Sequence, residues 1–131
     1  MKTVILDTNF LMIPIKFRID IFSEIHRLCD FEYELCIIDK TIDELKIIAE
    51  IKKGIDKKAA KFGLVMAKKK GFGIIESDLD YVDDAILKNA GKNTIVATND
   101  SDLKKKLLRK GIPVIIMRQK SYLMFAPFLK D

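Results

Sequence analysis

At 131 residues, 49% hydrophobic and 33% charged, the chain has material for one core and not for two, since separate cores arise above roughly 250 residues. No apolar run approaches the roughly 18 residues that span a bilayer, and the start lacks the basic region and long apolar run of a secretory signal, so a cytoplasmic protein with no membrane partner is expected. The net charge of +5 suits a polyanionic partner without requiring one.

The first predicted strand, Thr3–Leu6 (TVIL), breaks abruptly at Asp7-Thr8-Asn9. Ile21, Ile25 and Leu28 then recur at helical spacing behind Asp20, a suitable N-cap, and the lone histidine, His26, reads as a helix-surface residue. Cys29 and Cys36 lack metal-ligand spacing and read as small buried hydrophobes. Leu35–Ile38 (LCII) is the second strand. After it, Asp39-Lys40-Thr41 opens a helix that carries Asp43 and Glu44 and an apolar stripe of Ile42, Leu45, Ile48 and Ala49. From Gly54 to Lys70, Ile55, Ala59, Phe62 and Met66 predict another helix, with Lys57, Lys61 and Lys68 on its other faces.

Phe72–Ile75 (FGII) is the third strand, followed by Ser77-Asp78-Leu79-Asp80. The next helix carries Asp83 and Asp84 in its first turn and a stripe of Val82, Ile86 and Ala90. The fourth strand, Thr94–Ala97 (TIVA), leads into Thr98-Asn99-Asp100-Ser101-Asp102. A helix striped by Leu103, Leu107 and Leu108 comes next and closes at Gly111. Pro113–Met117 (PVIIM) is the fifth strand, and the apolar, aromatic tail Ser121–Leu129 is expected to cover one edge or end of the sheet. Apolar runs without alternation suit strands buried on both faces, and the intervals suit crossover helices. The expected architecture is a three-layer α/β/α domain, residues 1–131, around a central parallel sheet of about five strands.

In such folds ligands bind beyond the carboxyl ends of the strands, and each of the first four predicted strands is followed there by acid. Capping explains part of this: Asp39, Asp80 and Asn99 suit helix starts, where an acid gains about 0.3–1 kcal/mol. One helix start needs only one cap, however, and like charges stacked at one end of a sheet ask for a cation among them. Carboxylates without His or Cys favour Mg²⁺ or Mn²⁺ over zinc or copper. An acidic cup in a basic protein suits phosphodiester cleavage, with cations screening the substrate and activating water. The lysine-rich faces at Lys52–Lys61 and Lys104–Lys110 read as solvated surface. Arg118 and Lys120, just past the last strand, are the better substrate contacts.

Four stretches in register resemble the PIN-domain nucleases: VILDTNFL, Asp43-Glu44-Leu45, Asp83-Asp84-Ala85-Ile86-Leu87 and VATNDSDLKKKLLRKGIPVI. The resemblance covers essentially the whole chain. It implies a PIN-like fold and hydrolysis of single-stranded RNA by a metal-activated water, with Mg²⁺ or Mn²⁺ as cofactor. Asp7 becomes the central ligand, Glu44 a second-site or water-mediated ligand, Asp84 a ligand with Asp83 its less certain neighbour, and Asp100 the fourth acid. Asp102 shares or replaces the role of Asp100, while Thr8, Asn9, Thr98 and Asn99 orient carboxylates, waters or substrate.

The residues themselves leave RNA against DNA, and one ion against two, open. Three biological roles follow from the resemblance: ribosomal RNA processing, which the closing stretch resembles; a VapC-type toxin held by an antitoxin; and an inactive RNA-binding scaffold. Besides RNA, the candidate partners are a second copy of the chain, an antitoxin and a ribosome-assembly protein. Other α/β families fit less well. A haloacid-dehalogenase-type phosphatase needs Asp where Asn9 stands, receiver-domain spacing is absent, and there is no Gly-rich first turn for a dinucleotide.

Overall fold

The computed structural model describes residues 1–128, so Leu129, the end of the predicted tail, lies outside the described residues. Strands β1 (Lys2–Leu6), β2 (Tyr33–Ile38), β3 (Gly73–Ile75), β4 (Thr94–Ala97), β5 (Val114–Arg118) and β6 (Tyr122–Phe125) form one sheet in the order β3-β2-β1-β4-β5-β6. The first five pair in parallel, as expected, and β6 returns antiparallel along β5. The sheet thus has six strands rather than about five, because the tail covers the edge by becoming it. The hairpin turns on Gln119 and Lys120, both at positive φ (53° and 52°), closed by Ser121 N–H donating to the Arg118 carbonyl at 3.1 Å. Both residues take the left-handed region without the Asn or Gly that usually marks such a turn, in a three-residue loop between the paired Arg118 and Tyr122.

Strand parity sorts the core into two layers. Val4, Leu6, Ile37, Ile95, Ala97, Ile115 and Leu123 face a 3₁₀ segment (Thr8–Met12) and the helices α1 (Ile13–Phe17), α2 (Ile21–Leu28), α3 (Asp39–Ile51) and α4 (Ile55–Lys69). Ile5, Ile38, Val96, Val114 and Ile116 face α5 (Val82–Asn89) and α6 (Ser101–Arg109). Neighbouring residues on each strand therefore fall in opposite layers, as the pleat requires. Among the described residues no helix is long and apolar enough to cross a membrane.

Two local readings hold and one shifts. Asp20 caps α2, accepting from Phe22 N and Ser23 N at 3.2 Å, and Cys29 and Cys36 are buried free thiols. On α4, however, the buried face is Ala59, Ala60, Gly63 and Ala67, whereas Phe62 and Met66 are half-buried and Ile55 is exposed. The reason is close approach. A Cβ on Gly63 would lie 3.3 Å from both Leu11 Cβ and the Leu11 carbonyl oxygen, so only small residues fit where α4 meets the 3₁₀ segment.

The β6 edge is closed by side chains. Arg27 Nη2 donates to the Leu123 carbonyl at 2.9 Å, Glu24 Oε1 accepts from Leu123 N at 3.0 Å, and the two side chains pair at 3.1 Å. Groups that would otherwise offer a pairing template are thereby occupied. The position of β1 matters most for function: β2 and β3 lie on one side of it, β4 and β5 on the other. Strand order reverses there, and the carboxyl ends of β1 and β4 flank the crevice where such sheets bind ligands.

Candidate active site

Asp7 ends β1 and is only 5% exposed. Its Oδ1 accepts from Thr8 N and its Oδ2 from Thr98 Oγ1, each at 2.8 Å. Thr98, fully buried at the end of β4, also accepts from Asp100 N at 3.0 Å, so one hydroxyl pins two acid-bearing connections together. On the other side, the buried Thr8 hydroxyl donates to Glu44 Oε2 at 2.6 Å. Glu44, Thr8, Asp7, Thr98 and Asp100 therefore form one continuous polar chain across β1 and β4.

Burial pushes the Asp7 carboxyl up to about 6; the Thr98 hydroxyl and the Thr8 N–H oppose the rise, and the negative charges of Asp83 and Glu44 add to it. The Asp83 carboxyl is also raised, by partial desolvation and then by Asp100, Glu44 and Asp84, with Lys106 opposing; because Asp83 is exposed to solvent, the neighbouring negative charges are the cause that matters. These are acids that feel one another, the electrostatic signature of a functional cluster.

The resemblance puts Asp84 in this cluster with Asp83 beside it. In the structure it is Asp83 that meets the field of Asp7, Glu44 and Asp100. Helix geometry gives the reason. Val82, Ala85 and Ile86 form the buried face of α5. At about 100° per residue, Asp83 flanks that face while Asp84 points almost directly away from it.

Asp100 is the N-cap of α6, its Oδ1 accepting from Leu103 N at 2.9 Å, and Asp102 stands exposed in the first turn. The expected caps fall elsewhere. Asn99 Oδ1 accepts from Met117 N at 2.8 Å, which ties it to β5 rather than to the acids or to a helix start. Asp39 lies inside α3 and accepts from Lys40 N, and α5 starts from Tyr81 with no side-chain cap, so Asp80 is not its cap. Asn9 is exposed in the 3₁₀ segment at the rim. Arg118, at the carboxyl end of β5, and Lys120, in the hairpin turn, are exposed at the same end of the sheet.

A hard divalent cation fits the donors present, which are carboxylate oxygens. Among the described residues, no group of three or more His, Cys, Asp or Glu side chains stands close enough together to hold a metal ion by itself. An open cup of this kind suits a cation that keeps several waters and takes substrate phosphate as a ligand. Sequence reading overlooked Lys40, one helical turn before Glu44, whose Nζ donates to the Ser77 carbonyl. The i, i+4 spacing to Glu44 was the available signal.

Thr98→Val leaves Asp7 Oδ2 and Asp100 N without their shared partner. Since that hydroxyl lowers the Asp7 pKa, the variant should titrate Asp7 above about 6, as read by carboxyl-carbon NMR.

A mostly parallel sheet with its acids gathered over the strand-order reversal is the arrangement that the resemblance implied. Residues 4–120 match the family described as PIN like domain, and the chain belongs to that family. It is 36% identical over 124 residues to Ribonuclease VapC4 of Methanocaldococcus jannaschii, with 93% of this chain and 95% of that one covered. It is 27% identical over 120 residues to Ribonuclease VapC9 of Archaeoglobus fulgidus, covering 90% and 84%. Among solved structures, the PIN domain endonuclease Utp24 superposes with a TM-score of 0.78 at 26% identity, covering 98% of this chain and 93% of that one. A domain of a functionally unknown protein from Methanocaldococcus jannaschii shares the fold at a TM-score of 0.59 and 20% identity, with both chains fully covered.

Proposed function

We propose that the chain is a metal-dependent endoribonuclease: a single cytoplasmic nuclease domain that hydrolyses single-stranded RNA with Mg²⁺ or Mn²⁺. The observation that carries this reading is the hydrogen-bonded run from Glu44 through Thr8, Asp7 and Thr98 to Asp100, with Asp83 facing it, at the strand-order reversal. Similarity to a protein named as a ribonuclease, at 36% identity, supports RNA rather than DNA as the substrate.

Asp7, Glu44, Asp83 and Asp100 hold the cation in this reading, with Asp102 in reserve and Asp84 turned outward. A bound cation neutralises the phosphodiester and lowers the pKa of a water. The protein supplies direction. Both Asp7 oxygens already accept hydrogen bonds, so the remaining lone pairs point along fixed lines. Thr8 does the same for Glu44. Arg118 and Lys120 hold flanking phosphates, and Asn9 meets the strand at the rim.

Two biological roles remain in play, each with its own observation. The VapC relatives favour a toxin whose partner is an antitoxin. The closing stretch VATNDSDLKKKLLRKGIPVI, with its resemblance to ribosomal-RNA-processing members of the family, favours processing of precursor RNA, with a ribosome-assembly protein as partner. Growth arrest on induction, relieved by a co-expressed neighbouring small protein, selects the toxin.

The chemistry is tested by incubating the purified chain with an end-labelled single-stranded RNA in EDTA, Mg²⁺ or Mn²⁺. Internal cleavage with metal alone is expected. No cleavage with either metal, or equal cleavage in EDTA, would refute it.

A further inference from the structure

Lys40 is the second residue of α3 and lies four positions before Glu44, hence on the same helix face. Its Nζ donates to the Ser77 carbonyl at 2.5 Å, in the connection, residues 76–81, that leads from β3 into α5. That connection ends where Asp83 enters the cluster. It is otherwise shaped by Ser77 Oγ accepting from Leu79 N at 3.1 Å and by an exposed ion pair, Lys88 Nζ to Asp78 Oδ1 at 3.3 Å. The ion pair joins α5 only to its own entrance and is weak in water. The bond from Lys40 is charge-assisted and partly buried, and it joins the helix of Glu44 to the connection that delivers Asp83.

We propose that Lys40 is a positioning residue: its ammonium holds the connection into α5 at the spacing from α3 at which Glu44 and Asp83 share one cup. Without this strut, mutual repulsion among the acids drives α5 outward. With it, a single cation sits between the two acid-bearing elements without occupying the cup itself. The inference rests on the metal-site reading above for its consequence, but not for its geometry.

The test compares wild type, Lys40→Met and Lys40→Arg. Free Mn²⁺ followed by electron paramagnetic resonance, without RNA, should show about 10-fold weaker binding in Lys40→Met, the usual effect of losing an outer-sphere support. The Leu79 amide should exchange faster with solvent, and Lys40→Arg should recover most of both properties by donating to the same carbonyl. Metal-free affinity for a single-stranded RNA oligonucleotide should not change. A drop in that affinity with Mn²⁺ binding intact makes Lys40 a substrate contact and overturns the proposal, as does unchanged Mn²⁺ affinity. Leu79 exchange requires neither metal nor RNA, so an unchanged rate overturns the strut whatever becomes of the nuclease reading. Conversely, a wild type that binds Mn²⁺ but leaves RNA intact refutes the nuclease reading alone.

Discussion

Asp7→Asn is expected to lower metal-dependent RNA cleavage by at least about 10²–10³-fold, the scale of losing a central electrostatic element of a site, and yet to make the metal-free protein more stable. The sign follows from linkage. The Asp7 carboxyl moves from an ordinary 3.8 up to about 6 on folding. The folded state therefore binds the proton more tightly, and stability falls as pH rises from about 4 through about 6. At pH 7 the ionised Asp7 costs about 3 kcal/mol. Asparagine removes that cost but forces Thr98 to redirect the hydroxyl proton it gives to Oδ2, a loss of about 1–2 kcal/mol. The net gain is about 1–2 kcal/mol at pH 7 and turns into a net loss of about 1 kcal/mol near pH 4, where the ionisation cost is gone and the Thr98 penalty stays, measured by urea unfolding in EDTA. Adding Mn²⁺ should reverse the ranking, since a cation at about 100 times its dissociation constant stabilises the wild type by about 2.7 kcal/mol. If Asp7 were only a structural turn residue, its replacement would lower stability at every pH and leave cleavage intact.

The second large effect separates two adjacent acids. Asp83→Asn should reduce cleavage by about 10²-fold and weaken Mn²⁺ binding, whereas Asp84→Asn should stay within a few-fold of wild type, on the ordinary scale of a ligand against a surface charge. The difference rests on α5 rotation: Val82, Ala85 and Ile86 are buried, so at about 100° per residue Asp83 flanks that face, within the field of Asp7, Glu44 and Asp100, and Asp84 falls on the far side, both acids being exposed. Steady-state cleavage and Mn²⁺ titration on the two variants decide it. A larger loss at Asp84 would mean that α5 sits rotated by about one residue, about 100°, in the active protein.

The five parallel strands were readable because Thr3–Leu6, Leu35–Ile38, Phe72–Ile75, Thr94–Ala97 and Pro113–Met117 are β-branched runs bounded by polar residues, a local signal. The sixth was not. Tyr122–Phe125 pairs through a turn of Gln119 and Lys120, residues that carry no hairpin signature, and tertiary packing against Glu24 and Arg27 holds it. The α4 stripe was misjudged because Ile55, Phe62 and Met66 are the larger apolar residues at helical spacing. The face that docks is the one small enough to approach Leu11.

The same division runs through the site. Sequence alone determined which connections carry acid, and that these follow buried strands, because hydrophobic runs and polar breaks are properties of neighbouring residues. Which acids meet was decided by tertiary structure. Asp7 and Thr98 stand 91 residues apart and touch only because β4 inserts beside β1. Thr8 reaches Glu44 across 36 residues, and Lys40 reaches Ser77 across 37. Asn99, a ligand-orienting residue by pattern, is drawn instead to Met117 by the β4–β5 pairing. Strand order and helix rotation come from burying two opposite faces of one sheet at once. That is a sum over distant contacts, and no window of sequence contains it.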